Sequence, residues 1–368
     1  MGKLNKDHKI FTNSCAFPLP LNSVNPMKLC LRCNNYFDDE NTVCPNDRAP
    51  LEYVGKEPLI GALINNRYAV DCVAGKGASG IVYKATRLVM GGFVAVKVLH
   101  TYQGADSKSL EKFSREITAL ERLRHPNIVS FFDSGITDDG QPFLVMDFLE
   151  GTALTTIIQK GPINPGRVLN ITLEICKALQ FAHDQGFVHR DMKPDNIVLD
   201  HSSGKDMVKL LDFGISYTIF ENRMNAISRP TTVAGSPAYM SPEQCRGLPL
   251  DHRTDIYSLA LVVFEMFTGR KPFRANSNKE FMVKTVNEKV PLMATVRPDL
   301  GIPEPVDLVI ARALQKNPKD RHSSINLFAS ELTKSCEGSG FAFTSGNEQD
   351  PDRLQNQPNR VSERMRGQ

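Results

Sequence analysis

Apolar and polar positions change their period several times along this 368-residue chain, and the changes divide it. From Arg67 and Tyr68 onward, apolar residues come in short β-branched and aromatic runs. Ile81-Val82-Tyr83-Lys84-Ala85-Thr86 reads as a strand, and so does Phe93-Val94-Ala95-Val96-Lys97-Val98-Leu99, an alternating run with Lys97 among its buried positions. Over 110–123 the period lengthens. Leu110, Phe113, Ile117, Leu120 and Leu123 share one helical face, and His125-Pro126-Asn127 ends it. A turn at Asp138-Asp139-Gly140-Gln141 leads into a further strand, Phe143-Leu144-Val145-Met146-Asp147. Beyond that, helices take over. Ile171, Ile175, Leu179 and Ala182 are spaced for burial on a helix over 164–185. An apolar helix starts at Asp255 and reaches residue 267, and more are expected near 277–287, 306–315 and 323–334. The pattern predicts an α+β chain: a sheet-bearing unit with one helix over 68–147, then a mainly helical unit over 148–334.

The flanks lack this order. Residues 1–29 carry Pro18, Pro20 and Pro26 and read as an irregular arm. Residues 55–67, with Gly55, Pro58, Gly61, Asn65 and Asn66, read as a linker, and 335–368 as a polar, disordered tail. No apolar run reaches the length of a membrane span, so no transmembrane segment is expected. The first ten residues lack a signal-peptide core, and Lys6 stands where a myristoylation motif wants Ser or Thr. A net charge of +3 gives no electrostatic reason to expect a nucleic-acid partner. A cytoplasmic setting is expected, in which the eight cysteines are thiols or metal ligands.

Residues 30–54 change that picture locally. Cys30-Leu31-Arg32-Cys33 is followed by Cys44-Pro45-Asn46-Asp47, two turns that each present two ligating side chains. A carboxylate oxygen can serve as the fourth ligand of tetrahedral zinc, and a segment too short to bury a core gains most from a metal staple. Cys30, Cys33, Cys44 and Asp47 are therefore a candidate structural Zn²⁺ site, and the pattern resembles the small zinc ribbons found beside other domains in bacterial proteins.

The densest chemistry lies at His189-Arg190-Asp191-Met192-Lys193-Pro194-Asp195-Asn196, with Asp212-Phe213-Gly214 sixteen residues after Asn196. A carboxylate, an ammonium and an amide held together, with a second carboxylate returned by a short hairpin, suit a site that handles phosphate and magnesium. These two motifs resemble the catalytic core of bacterial-type serine/threonine protein kinases. Three further stretches agree. Gly75-Lys76-Gly77-Ala78-Ser79-Gly80-Ile81-Val82 is a GxGxxGxV followed by a strand, where a dinucleotide-binding loop would open a helix. Val94-Ala95-Val96-Lys97 is similar to the strand whose Lys holds nucleotide phosphates. Ser241-Pro242-Glu243 stands for the family's A-P-E.

The resemblance covers roughly 68–334 and implies a bilobal kinase fold and transfer of the ATP γ-phosphoryl group to protein Ser or Thr hydroxyls. It implies that Asp191 orients and deprotonates the acceptor and that Lys193 neutralises the transferred group. It also implies that Asn196 and Asp212 hold Mg²⁺, with Mn²⁺ as a substitute. ATP would be held by Gly75, Lys76, Gly77, Ala78, Ser79, Gly80, Val82, Ala95 and Lys97. Glu116 would pair with Lys97, with Glu111 and Glu121 as rivals. Met146 would stand behind the adenine, and Asp147, Phe148 and Leu149 would offer backbone groups to it. Arg190 implies an activation-loop phosphate, at Thr232 or Thr231, and Ser236 matches a structural hydroxyl. Glu243 should pair with Arg321, and Asp255 should hold the backbone of the catalytic loop. Expected partners are protein substrates, with a dimer for trans-autophosphorylation. A non-catalytic scaffold and a small-molecule phosphotransferase are the rival readings.

Overall fold

A computed structural model describes residues 27–30, 36–38, 41–45, 48–53, 59–77, 80–99, 117, 120–138, 140–201, 207–213 and 237–339. Three short strands come first: β1 (Met27–Cys30), β2 (Tyr36–Asp38) and β3 (Leu51–Tyr53), antiparallel in the order β2-β1-β3.

Six strands then form one antiparallel sheet in the order β4-β5-β6-β7-β9-β8. They are β4 (Leu63–Ile64), β5 (Tyr68–Gly77), β6 (Gly80–Arg87), β7 (Phe93–Leu99), β8 (Phe131–Ile136) and β9 (Pro142–Asp147). Alternation in β7 does not separate core from solvent, because β7 lies between β6 and β9 and is buried from Val94 onward. Val94, Val96 and Val98 enter an outer cluster with Tyr83 and Phe143, whereas Ala95 and Leu99 face the larger core. Lys97 shares the parity of Ala95, so its stem runs on the side that meets the second lobe. The expected linker also contributes. Ile64 belongs to the outer cluster, Leu59 packs against it, and β4 extends the sheet. Of the helix expected over 110–123, Ile117 and Leu120 are helical and buried, and residues 110–116 lie outside the described set.

The second lobe holds a small sheet, β10 (Gly151–Ala153), β11 (Ile197–Asp200) and β12 (Met207–Leu210), and eight helices among the described residues. These are α1 (Leu154–Ile158), α2 (Pro165–Asp184), α3 (Pro242–Cys245), α4 (Arg253–Thr268), α5 (Asn278–Asn287), α6 (Met293–Val296), α7 (Glu304–Ala313) and α8 (Ile325–Gly338). Start signals are local. Asn164 accepts from Gly166 N ahead of Pro165, and Ser324 accepts from Leu327 N. Helix α4 is buried along nearly its whole length and forms the axis of the lobe. The tail expected from 335 begins later than the sequence suggests, since α8 runs to Gly338 with Cys336 buried in the core. No helix among the described residues is long and apolar enough to cross a membrane.

The lobes meet through hydrogen bonds as well as the chain itself. Asn127 donates through Nδ2 to Glu174 Oε2 (3.1 Å) and to Val208 O (2.9 Å), and Val208 N donates to the same Glu174 oxygen (3.0 Å). His125-Pro126-Asn127 thereby stops the first-lobe helix and ties it to α2 and β12.

Candidate phosphate-handling site

The loop from His189 to Asn196 is held from below. Asp255, fully buried at the start of α4, accepts His189 N at 2.8 Å and Arg190 N at 2.9 Å. His183, near the end of α2, contacts the same carboxylate at 2.8 Å. Burial alone would raise the Asp255 carboxyl, but these bonds hold it below the usual range. They also keep Arg190 in the left-handed region, at φ 64°. His189 ties the loop to the strand that follows it. Its Nδ1 accepts Asp191 N, which leaves Nε2–H to donate to Leu211 O at 2.9 Å.

The reactive groups sit above this base. Lys193 Nζ donates to Asp191 Oδ2 at 2.7 Å, and Asn196 Nδ2 donates to Asp191 O at 2.8 Å and to Oδ2 at 3.1 Å. Burial works against the Lys193 charge, but Asp191 lifts its pKa above the ordinary value. The hairpin of β11 and β12 then returns the chain, with Leu211 N on Asn196 O at 2.9 Å, and Asp212 arrives beside the loop. Lys97 crosses from β7 to donate to Asp212 Oδ2 at 2.6 Å. Burial pushes the Asp212 carboxyl up, yet Lys97 and then Lys193 hold it below its usual range. Asp212 has φ 54°, and Phe213 packs on the His189 ring at 4.6 Å.

Among the described residues the partner of Lys97 is Asp212. Glu121 is exposed, and Glu116 and Glu111 lie outside the described residues. The turn between β5 and β6 places Gly75 opposite Val82 and Gly77 opposite Gly80, while Ala78 and Ser79 lie outside the described residues. A Cβ at Gly80 would stand 2.2 Å from Val98 O, so only glycine lets β6 lie on β7 there. A Cβ at Gly75 would meet nothing within 4 Å, which leaves open space on that side of the turn. Ala95 pairs with Met146 across β7 and β9; both are buried, as is Leu149, and Val82 packs against the same core. Asp147 N donates to Ser130 O at 3.1 Å, so the amide expected to offer itself to a base is already engaged.

Glu243 and Arg321 form the expected buried pair, with Nη1–Oε1 and Nη2–Oε2 each 2.7 Å. Thr254 adds a bond to Glu243 at 2.9 Å. Ser241 in place of Ala has a structural reason. It caps α3 in a reciprocal pair with Gln244, and Gln244 Nε2 reaches Arg190 O at 2.7 Å. Sequence reasoning missed Gln244, His183 and Glu174. The capping spacing at Ser241 was the only local signal for any of them. Thr231, Thr232 and Ser236 lie outside the described residues.

In the first small sheet, Cys30 and Cys44 are both buried. Cys44 heads a tight turn in which Arg48 N donates to Cys44 O at 2.8 Å and Arg48 takes φ 57°. Cys33 and Asp47 lie outside the described residues. Among the described residues no group of three or more His, Cys, Asp or Glu side chains could hold a metal ion. Cys72 is disulfide-bonded, a departure from the expectation of thiols or ligands throughout.

Burial also makes the fold pH-sensitive. His189 and His322 are fully buried with pKa values pushed down by burial. Below about pH 6.5 the unfolded chain takes up protons at these rings that the folded chain refuses, so stability falls as pH falls. Urea denaturation at pH 7 and pH 5.5 should show the lower midpoint at pH 5.5. The slope is at most about 1.4 kcal/mol per pH unit for each ring.

Comparisons with known proteins identify the family. The family model for the protein kinase domain matches residues 68–333. The serine/threonine-protein kinase pkn3 of Myxococcus xanthus is 39% identical over 284 residues, which is 76% of this chain and 51% of that protein. The serine/threonine-protein kinase PrkC of Bacillus subtilis is 36% identical over 267 residues, 72% of this chain and 40% of that protein. This chain thus spans about half or less of the length of the curated relatives it matches. The crystal structure of the Mycobacterium tuberculosis PknI kinase domain aligns with a TM-score of 0.60 at 30% identity, covering 76% of this chain and all of that domain.

Proposed function

We propose that this chain, which belongs to the protein kinase domain family, transfers the γ-phosphoryl group of ATP to Ser or Thr hydroxyls of proteins. The observation that carries this reading is a pair of adjoining clusters: Lys193 and Asn196 bond the Asp191 carboxylate at 2.7 and 3.1 Å, and beside them Lys97 crosses the lobes to Asp212 at 2.6 Å. Asp191 keeps a carboxylate where it can orient an acceptor hydroxyl and take its proton. Lys193 supplies positive charge beside it. Lys193 also favours Ser/Thr over Tyr by analogy with the family. Lys97, under the glycine-lined turn, supplies the cation for the nucleotide phosphates, and Gly75 leaves room for them.

The residues also fit a divalent cation. Asn196 spends its Nδ2 on Asp191, which fixes the amide and leaves Oδ1 as its ligand end, and Asp212 supplies a carboxylate. Bound Mg²⁺ would supply charge neutralisation for the nucleotide phosphates. Met146, Ala95, Val82 and Leu149 would wall the adenine, with Leu149 and the Asp147 carbonyl at the hinge. Glu116 would compete with Asp212 for Lys97 when nucleotide enters, and phosphorylation at Thr232 or Thr231 would pair with Arg190. Use of ATP as donor supports a cytoplasmic setting. Incubating the full chain with γ-labelled ATP and Mg²⁺ should label protein acceptors, and Lys97→Met and Asp212→Asn should not. Label only on small-molecule alcohols would overturn the reading in favour of a small-molecule phosphotransferase.

Residues 27–53 are proposed to hold a structural Zn²⁺ through Cys30, Cys33, Cys44 and Asp47. Two buried thiols, at a strand end and at the head of a tight turn, support it. Metal analysis of purified protein should give about one zinc per chain, lost on combined Cys30→Ser and Cys33→Ser substitution. Equal zinc in both proteins would remove this assignment.

A further inference from the structure

Away from the phosphate-handling loop, a cavity of about 500 Å³ opens between α3 and the turn that carries Asn317 and Pro318. Lys316 lines it together with Arg246, Leu248 and Pro318. The Lys316 ammonium has an unusual setting. It donates to Thr285 O at 2.7 Å and reaches the Tyr257 hydroxyl at 3.5 Å, and it lies over the Phe273 ring at 5.2 Å. Both oxygen partners are neutral, and no carboxylate pairs with it among the described residues. Arg321 and Arg246 add like charge nearby, and Glu288 acts against them. The neighbouring Glu243 carboxylate is taken by Arg321 and Thr254.

We propose that Lys316 is a site of Nε-acylation by small acyl phosphates that enter through this cavity. A neutral amine has two hydrogens and one lone pair. The Thr285 and Tyr257 oxygens can accept both hydrogens, which leaves the lone pair as a nucleophile. Burial, and then Arg321, brings the amine pKa down to about 8, so free amine is available near neutral pH. The Arg246 guanidinium, exposed at the cavity, offers the charge that holds the phosphate of the reagent. In the step, the Nζ lone pair forms a bond to the acyl carbon and the carbon–oxygen bond to phosphate breaks. Inorganic phosphate leaves with that electron pair, and the proton from nitrogen goes to water. The product amide keeps one N–H, so it cannot hold both Thr285 and Tyr257. It weakens a tie between α4 and α5 beside Arg321, which itself donates to Lys316 O at 3.1 Å.

The test is acetylation of the full chain by acetyl phosphate, followed site by site with mass spectrometry. At pH 7.5, Lys316 should react roughly tenfold faster than the exposed Lys279 and Lys334. Its rate should level off above about pH 8, and its advantage should vanish in urea-unfolded protein. Arg246→Ala should slow Lys316 and leave Lys279 unchanged. A Lys316 rate no faster than those two, or one that still climbs steeply through pH 9, would overturn the proposal. So would a rate indifferent to Arg246→Ala.

Discussion

Asp191→Asn lowers kcat for phosphoryl transfer by roughly 10²–10⁴-fold, the range that a positioned general base commands. The substitution is nearly isosteric, so the loop should keep its shape: Asp255 holds His189 and Arg190 through their amides, not through Asp191. What changes is charge. The Asp191 carboxylate accepts from Lys193 at 2.7 Å and from Asn196 at 3.1 Å, and a carboxamide can satisfy neither as strongly nor take a proton. The residues proposed to hold nucleotide, Lys97 and the glycines of the β5–β6 turn, are untouched. The KM for ATP should therefore stay within about twofold, the signature of an interaction made in the transition state. Steady-state kinetics on both proteins separates the two parameters.

Arg321→Leu gives the largest loss of stability, about 3–5 kcal/mol, because it strands a buried carboxylate. Glu243 is 5% exposed, and burial pushes its carboxyl up. The Arg321 guanidinium outweighs that and holds it below the usual range. Arg321 also donates to the carbonyls of Gln315, Arg253 and Lys316, at 2.8, 2.9 and 3.1 Å. Removing it takes a donor from three backbone carbonyls as well as the counter-charge. The sign with pH follows from the depressed Glu243 pKa. The pair's contribution is present above the unfolded Glu value and fades as pH drops through the folded one. Urea denaturation should show the loss. Glu243→Gln in the Arg321→Leu background should recover part of it, since the stranded charge is then gone.

How much of this was legible in the chain varies with the range of the interaction. The strands around Lys97 and the helix leading to His189 rest on local periodicity, and the structure places them as read; the loop from Asp191 to Asn196 stands out by its spacing, and its side chains come together in the structure. Lys97 illustrates the limit. The sequence says that a buried cation in a strand needs an anion, and among the described residues that anion is Asp212, 115 residues away, at 2.6 Å. Gln244 and His183 act on the catalytic loop from 54 and 72 residues' separation from their partners, and no periodicity marks a side chain for such a bond. Short-range signals misled where tertiary packing won. The Gly- and Pro-punctuated stretch before Arg67 supplied a strand and Ile64 to the core, and the polar end of α8 stayed helical because Cys336 is buried.

The most direct measurement is phosphoamino-acid analysis of the full chain and a generic protein substrate after incubation with γ-labelled ATP and Mg²⁺. Wild type and Asp191→Asn should be run side by side, with ATP binding measured separately for each. The account predicts phosphoserine and phosphothreonine in the wild-type reaction, and their loss in Asp191→Asn while ATP still binds. Equal label in both proteins, label confined to phosphotyrosine, or no label on any protein with wild type would contradict it.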